Sequence, residues 1–279
     1  MRRNRAMILV LSTCFAAAAA LPAQQSLPRD NAESVQLNQN SLADLSPENR
    51  EVFSALEDAA QQDRYADVVK EGRILLPSLA QDTPLANFVT LAISGSAIET
   101  GDDSSALSLL KPYTVAHPRD WHAAALLARA YAESGDKTLR DQQIAHVIDL
   151  HKQTADPDFA DKHIFPIQKV QLHSGYAVFL YPFEPLKPYN TYLVALIYKS
   201  DGTLDYRLEL GGEDEDQAFF KPKKRGDRRF SIDSYHETEV NGQKSESQGL
   251  MGFIDGAFDY DSMRDQMVKV ANGERLPQN

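Results

Sequence analysis

Few residues of this sequence have the types and spacing that metal binding or catalysis requires. His117 and His122 lie five residues apart, as do His146 and His151, and five residues place two side chains about 140° apart around a helix. No His-Glu-x-x-His, Gly-x-Ser-x-Gly or phosphate-loop pattern occurs. The sequence therefore predicts no metal site, no cofactor and no catalytic residue that a motif identifies.

Four aspartates near the C-terminus resemble a calcium site only at first sight. Asp255, Asp259, Asp261 and Asp265 lack the glycine and the closing glutamate of the helix-loop-helix calcium loop. Asp259 and Asp261 directly precede or begin an apolar helical pattern, where aspartate caps a helix. We interpret them as capping residues.

An active site is still conceivable if distant residues converge in the C-terminal half. Tyr235-His236-Glu237 offers an acid and a base, but neighbouring residues of a strand point to opposite faces. An enzyme would need at least two of five residues in one pocket. These residues are His163, His173, Asp233, His236 and Glu237.

The composition excludes natively disordered, collagen-like and disulfide-stapled classes for the chain as a whole. The chain has 279 residues, of which 42% are hydrophobic and 25% charged, as in an ordinary globular protein. With 29 Lys and Arg against 40 Asp and Glu, the formal charge is −11. Nucleic-acid binding requires a positive surface, so we expect no nucleic-acid partner.

The first residues have the pattern of an export signal. Arg2, Arg3 and Arg5 precede an apolar run that ends in alanines, which predicts a signal peptide over residues 1–23. A retained anchor, or a lipoprotein attached at Cys14, is the alternative. Cleavage would leave a mature chain of charge −14 with no cysteine and no transmembrane segment, exported to the periplasm or secreted. Residues 24–46 are polar and lack periodicity, and we expect a flexible leader there.

Residues 47–155 predict a helical domain. Alanine and leucine dominate, apolar residues recur at helical spacing, and Gly101, Gly135 and Pro118 mark helix ends. Short connections between such helices are typical of antiparallel helical hairpins. The predicted helices are Glu48–Gln62, Tyr65–Gln81, Leu85–Thr100, Ser104–Ala116, Asp120–Ser134 and Lys137–Gln153.

A repeat is visible in the residues that end the helices. Gly101-Asp102 and Gly135-Asp136 are 34 residues apart, and small residues such as Ala97 and Ala128 occupy packing positions. The segment resembles the tetratricopeptide repeat family, with one good unit and two partial ones. Asp63-Arg64 resembles the same turn in a first unit, although its offset is 38 residues.

The resemblance implies a concave groove, formed by the first helix of each unit, that binds a protein or peptide partner. We predict no cofactor for this groove. The positions of this chain that the resemblance assigns to the groove are Phe53, Glu57, Phe88, Leu91, Ile98, Glu99, His122, Ala125, Arg129 and Glu133. The alternative is that Phe88, Leu91 and Ile98 are core residues.

Residues 160–275 predict an antiparallel β domain with a C-terminal helix, which makes the fold class α+β. The alternation of Leu204, Tyr206, Leu208 and Leu210 with charged residues predicts a strand with one solvent-facing side. An acidic run at 213–216 and a basic run at 221–229 predict solvated loop ends, or a docking site for an anionic surface. The predicted strands are Ile164–Leu172, Tyr176–Tyr181, Thr191–Tyr198, Leu204–Leu210, Arg229–His236 and Leu250–Ile254, and the helix is Asp261–Ala271.

These features favour one function over two alternatives. The repeat, the export signal and the lack of catalytic motifs favour an exported, non-catalytic adaptor or scaffold that binds a polypeptide and contacts a second envelope surface through its sheet. The alternatives are an envelope hydrolase with its active site in the β domain and a self-assembling envelope component.

Overall fold

A computed structural model describes Leu42 and residues 45–153, 163–184, 191–212, 228–240, 243–256 and 259–276. The chain divides into two compact units, with the boundary between Asp161 and Lys162. The helical unit precedes the boundary and the sheet unit follows it, so the fold is α+β as predicted. The predicted signal peptide and the acidic run lie outside the described residues, as do the side chains of the basic run.

The described part of the helical unit contains six α-helices and one 3₁₀ turn. The α-helices are α1 Pro47–Gln61, α2 Tyr65–Leu75, α3 Pro84–Glu99, α4 Asp103–Ala116, α5 Trp121–Glu133 and α6 Lys137–Gln153. All six were predicted, but α2 is shorter than expected. Pro77 has no amide hydrogen and clashes with the preceding turn, so Leu76–Ser78 forms the 3₁₀ turn instead.

The helices recur as three pairs. The first helices of the pairs are α1, α3 and α5. Each begins after a cap residue whose side chain accepts a hydrogen bond from the backbone amide three residues later. The caps are Ser46, Thr83 and Asp120, at equal intervals of 37 residues (46 to 83 and 83 to 120). Each cap satisfies one of the amides that a helix start leaves without a partner.

The turn inside each pair also repeats. A residue with left-handed backbone, Asp63, Gly101 or Gly135, has φ of 53°, 76° or 79°. Its amide donates to the carbonyl three residues back, and the next amide donates to the carbonyl five residues back, over 2.8–3.3 Å. Such bonds satisfy the carbonyls at a helix end. The three turns therefore have the same geometry although their sequence offsets, 38 and 34, differ.

The first helices form the core of the helical unit. Twelve residues of α3 and eleven of α5 are buried, including Ser94 and Ala97, which are fully covered. Gly72 of α2 lies so close to Ile93 that a Cβ would approach its Cγ1 to 2.4 Å. From the expected leader, Leu45 is buried and Leu42 packs against the same core, so the helical unit begins its packing before residue 47.

The sheet unit contains a six-stranded antiparallel sheet in which strand order follows chain order. The strands are β1 Ile164–Gln171, β2 Gly175–Pro182, β3 Thr191–Lys199, β4 Leu204–Gly212, β5 Arg228–Val240 and β6 Gln243–Gly256. Four strands match the prediction closely, including the turn at Gly202, where φ is 84°. The strands β5 and β6 are longer than predicted, because they continue as a polar hairpin whose residues show no apolar alternation.

Helix α7, Tyr260–Ala271, contacts β3 and β4. Its cap is Asp259, whose side chain accepts from the Ser262 amide at 2.9 Å, while Asp261 forms an ion pair with Arg264 in the first turn. Met263, Met267 and Val270 are buried. Among the residues that the structure describes, no helix has the length and apolar character needed to cross a bilayer.

Candidate functional site on the first helices

All the predicted groove residues lie on the first helices α1, α3 and α5, but they differ in accessibility. Phe53, Glu57, Phe88, Leu91, Ile98, Ala125 and Arg129 are at most 5% exposed. Glu99, His122 and Glu133 retain partial exposure. In this structure the accessible part of the predicted groove is therefore its polar part.

The apolar members connect the first helices to each other. The rings of Phe53 and Phe88 meet edge to face, with centroids 6.2 Å apart, and join α1 to α3. Helix α3 in turn contacts α5. The first helices therefore form one continuous layer, and the buried side chains Phe53, Phe88, Leu91 and Ile98 belong to the core that holds it together.

The structure brings two predicted site residues together as an ion pair. Nη2 of Arg129 lies 2.7 Å from Oε1 of Glu99, and the two side chains are 4% and 10% exposed. Asp103, at the start of α4, has a carboxylate oxygen that is buried without a hydrogen-bond partner. Burial and the nearby Asp102 raise the pKa of Asp103, and the Arg129 guanidinium opposes that rise. The positive charge of Arg129 therefore acts on the carboxylates of Glu99 and Asp103, which lie on either side of the turn at Gly101.

Glu57 is a buried acid of a different kind. Its residue is 5% exposed. Burial, and to a lesser degree repulsion by Asp58, raises the pKa of Glu57 to about 7. The carboxyl group therefore changes its charge near neutral pH, within the layer of first helices.

His122 and Glu133 lie at opposite ends of α5. The His122 ring stacks on Trp121 with centroids 3.8 Å apart, and its Nδ1 lies 3.8 Å from Oδ1 of Asp120. Because α5 rises about 1.5 Å per residue, the two positions are roughly 16 Å apart along the helix. Together they span the partly exposed edge of the third pair.

The turns between pairs contain a polar cluster that the sequence analysis missed. Nε2 of His117 lies 3.6 Å from Oδ1 of Asp82, which joins the turn before α3 to the turn before α5. The Tyr113 hydroxyl donates to Asp120 at 3.0 Å, and burial, followed by Asp120, raises the Tyr113 pKa. Residues 82 and 117 show no common pattern in the sequence, so their contact could not be predicted.

A second charged cluster lies on the sheet, where one prediction was wrong. Arg207 was expected on the solvent-facing side of β4, yet it is 7% exposed. It pairs with Glu209 at 2.7 Å and with Glu246 at 3.0 Å, and its guanidinium lies 4.4 Å from the Tyr235 ring centroid. Glu209 also accepts a hydrogen bond from Thr191 at 3.0 Å. The alternation of charged and apolar residues predicts on which face of β4 the charged side chains lie. It does not predict whether other side chains cover that face.

The structure places the residues that a hydrolase would need at several positions of the sheet unit. His163 and His173 lie beyond the two ends of β1, roughly 30 Å apart at about 3.3 Å per residue. His236 is exposed and stacks on Tyr206. Asp233 is half-buried, which raises its pKa, and it accepts a hydrogen bond from Ser231 at 2.9 Å. Glu237 is exposed on the strand next to His236.

Within the described ranges, no group of three or more His, Cys, Asp or Glu side chains is arranged to hold a metal ion. Comparison of the chain with protein-family models, with curated proteins and with solved structures finds no match.

Proposed function

We propose that this chain is an exported, non-catalytic adaptor that binds a polypeptide partner through the face of its first helices. The observation that carries the proposal is the threefold repetition of one helix pair, with the same hydrogen-bond pattern at its caps and turns, which stacks α1, α3 and α5 in one layer. Stacked helix pairs of this kind create an extended surface. The tetratricopeptide resemblance is part of the same proposal.

The charges of the first helices support a partner with polar contacts. Glu99 and Arg129 are partly or wholly covered and form an ion pair with each other, whereas His122 and Glu133 are partly exposed on α5. A polypeptide that contacts this edge meets a histidine at one end and a carboxylate at the other. We expect the two partly exposed positions to select the partner and the buried ones to maintain the layer.

Export is the second half of the proposal. It rests on the cationic and apolar pattern of residues 1–23 and on the absence of cysteine from the rest of the sequence. An exported chain without disulfides depends on its core, and both units have one. The mass of the chain recovered from an envelope fraction should correspond to loss of about 20–23 residues.

Site-specific photocrosslinking in the full chain tests the partner surface. A photoreactive residue replaces His122 or Glu133 on a first helix, or Val115 on the second helix α4, where the side chain is 82% exposed. We expect a discrete adduct with the same polypeptide from positions 122 and 133 and none from position 115. The adduct polypeptide, once purified, should bind the unmodified chain saturably, and Glu133→Lys should weaken that binding.

Two outcomes would contradict the proposal. One is adduct formation from position 115 alone, which would place the partner on the second helices. The other is saturable binding that Glu133→Lys and His122→Ala both leave unchanged, which would move the partner away from α5.

A further inference from the structure

The strand β6 is an edge of the sheet. Among the described strands it pairs with β5 only, over a hairpin that extends from Arg228 and Gly256 to Val240 and Gln243. Residues 246–248 are exposed, and Leu250 is 43% exposed. An edge strand has one row of main-chain amides and carbonyls that its own sheet does not use, and these groups can pair with another extended chain.

A bulge beside this edge directs two apolar side chains to one place. Asp233 pairs with Leu250 and Ile232 with Gly252, so Met251 is the extra residue of β6. In a regular strand, neighbouring side chains point to opposite faces. Here Leu250 and Met251 both line a cavity of about 610 Å³, together with Val270 and Leu276. Gly252, with φ of 145°, follows the extra residue.

We propose that β6 and this cavity form a peptide-binding site, in which an extended segment with a bulky aliphatic side chain adds a strand to the sheet. The main chain of the segment pairs with the edge at residues 246–250, and its aliphatic side chain enters the cavity between β6 and the end of α7. Strand addition of this kind takes affinity from main-chain hydrogen bonds and specificity from a side-chain pocket.

The two features together identify the class of ligand. A row of alternating amides and carbonyls complements an extended polypeptide main chain, which an apolar small molecule does not possess. The cavity volume lies within the roughly 300–1,000 Å³ that binding pockets span. Leu250, Met251, Val270 and Leu276 give it apolar surface that suits an aliphatic side chain, and Glu274 and Arg275 give it polar surface beside that side chain. The site is distinct from the first helices, so it gives the chain a second partner surface.

Peptide selection on the full chain tests the site. A phage-displayed library of nine random residues is selected on the immobilised protein, and the enriched peptides are synthesised with a fluorescent label for anisotropy titration. We expect enrichment of leucine, isoleucine, valine or methionine at one fixed position. Replacement of that residue by serine should weaken binding about tenfold, in line with the loss of one buried aliphatic side chain.

Two protein variants and one peptide variant separate the parts of the proposal. Leu250→Glu places a charge at the mouth of the cavity and should weaken binding at least tenfold, whereas Val115→Glu makes the same change at an exposed aliphatic residue of the helical unit and should have no effect. N-methylation of alternate peptide amides should abolish binding, since it removes main-chain donors. Bound peptide should also slow hydrogen exchange at residues 246–250.

The proposal is overturned if no aliphatic position is enriched, or if the enriched peptides bind the Leu250→Glu protein as tightly as the unmodified one. Equal binding of the N-methylated peptide would also overturn it, because the cavity would then take a side chain without strand addition. Peptides that respond to Glu133→Lys but not to Leu250→Glu would belong to the first helices and would count against this site alone. Circular dichroism of Leu250→Glu verifies that the exposed substitution leaves the sheet intact.

Discussion

Both units of this protein bury an arginine that pairs with glutamates, Arg129 in the helical unit and Arg207 in the sheet unit, but the two arrangements differ. In the helical unit, Arg129 pairs with Glu99 across neighbouring first helices. In the sheet unit, Arg207 pairs with Glu209 on its own strand and with Glu246 two strands away, above the Tyr235 ring. A buried charge that loses its partner is expensive, so both arginines should be essential to the stability of their units. Of the two, only Arg129 was predicted from the sequence as a site residue.

The comparison shows what each kind of periodicity reveals. A helical repeat predicts which helices are neighbours, so the residues of the first helices can be grouped from the sequence alone. A strand pattern predicts only that Arg207 and Glu209 share a face. It does not predict that Tyr235 and Glu246 lie across from them, because that depends on the register of β5 and β6.

Removing either arginine should give the largest effect. Arg207→Ala leaves Glu209 and Glu246 without their cation, and Arg129→Ala does the same to Glu99, so each should lower the free energy of unfolding by about 3 kcal/mol or more. Urea unfolding measures this. The single tryptophan, Trp121, lies in α5 and reports on the helical unit, while circular dichroism near 218 nm also follows the strands.

Exposed ion pairs of each unit supply matched controls. Lys199 lies 3.3 Å from Asp205 in the sheet unit, and Arg73 lies 3.2 Å from Asp102 in the helical unit, with half-exposed side chains in both pairs. Lys199→Ala and Arg73→Ala should cost less than about 1 kcal/mol. If Arg207→Ala cost no more than Lys199→Ala, the sheet cluster would be a surface feature and the comparison between the units would fail.

Glu57 should make the stability of the helical unit depend on pH. Its folded-state pKa is raised from 4.5 to about 7, so the folded state holds the proton more tightly than the unfolded one. The resulting stabilisation is complete below pH 4.5 and is lost as the pH rises towards 7, a change on the order of 2–3 kcal/mol. Glu57→Gln should remove this part of the pH dependence and be the more stable protein at pH 8.

Unfolding followed by Trp121 fluorescence at pH 5 and pH 8 measures the difference. Glu51, which is exposed on the same helix, provides the control, since Glu51→Gln should leave the pH profile unchanged. A pH profile that is the same in Glu57→Gln and in the original chain would show that the Glu57 carboxyl is solvated when folded.

The repeated turn should give the smallest effect. Asp63 has a φ of 53° where the other two turns have Gly101 and Gly135. An L-residue in the left-handed region costs roughly 1 kcal/mol, so Asp63→Gly should stabilise by about 0.5–1 kcal/mol and Gly135→Ala should destabilise by a similar amount. Thermal unfolding that moves in the same direction for both variants would contradict the equivalence of the turns.

Much of the fold was predictable because local signals agreed with it. The bounds of α6 were predicted without error, and most other helices within one residue, since caps and glycines define their ends. The exception is α2, where Pro77 ended the helix before the apolar pattern did. The polar extension of β5 and β6 was missed because pairing between the two strands, rather than an apolar face, maintains it.

The candidate site was predictable only in part. The assignment of Phe53, Glu99 and Arg129 to first helices followed from the repeat, but their burial did not. Accessibility depends on how closely helices approach, as at Gly72 and Ile93, and this distance has no signature in one sequence. The cavity at Leu250 was missed for a related reason, because a bulge reverses the alternation from which strand faces are predicted.

The equal spacing of Ser46, Thr83 and Asp120 makes the helical unit modular. A segment from residue 84 to residue 120 begins directly after one cap and ends on the next, so a duplicate inserted after Asp120 would again place proline behind a capping side chain. The helical unit could thus be lengthened by one helix pair that uses the same kind of capped helix start. The same property offers a route by which tandem duplication changes the length of the layer of first helices.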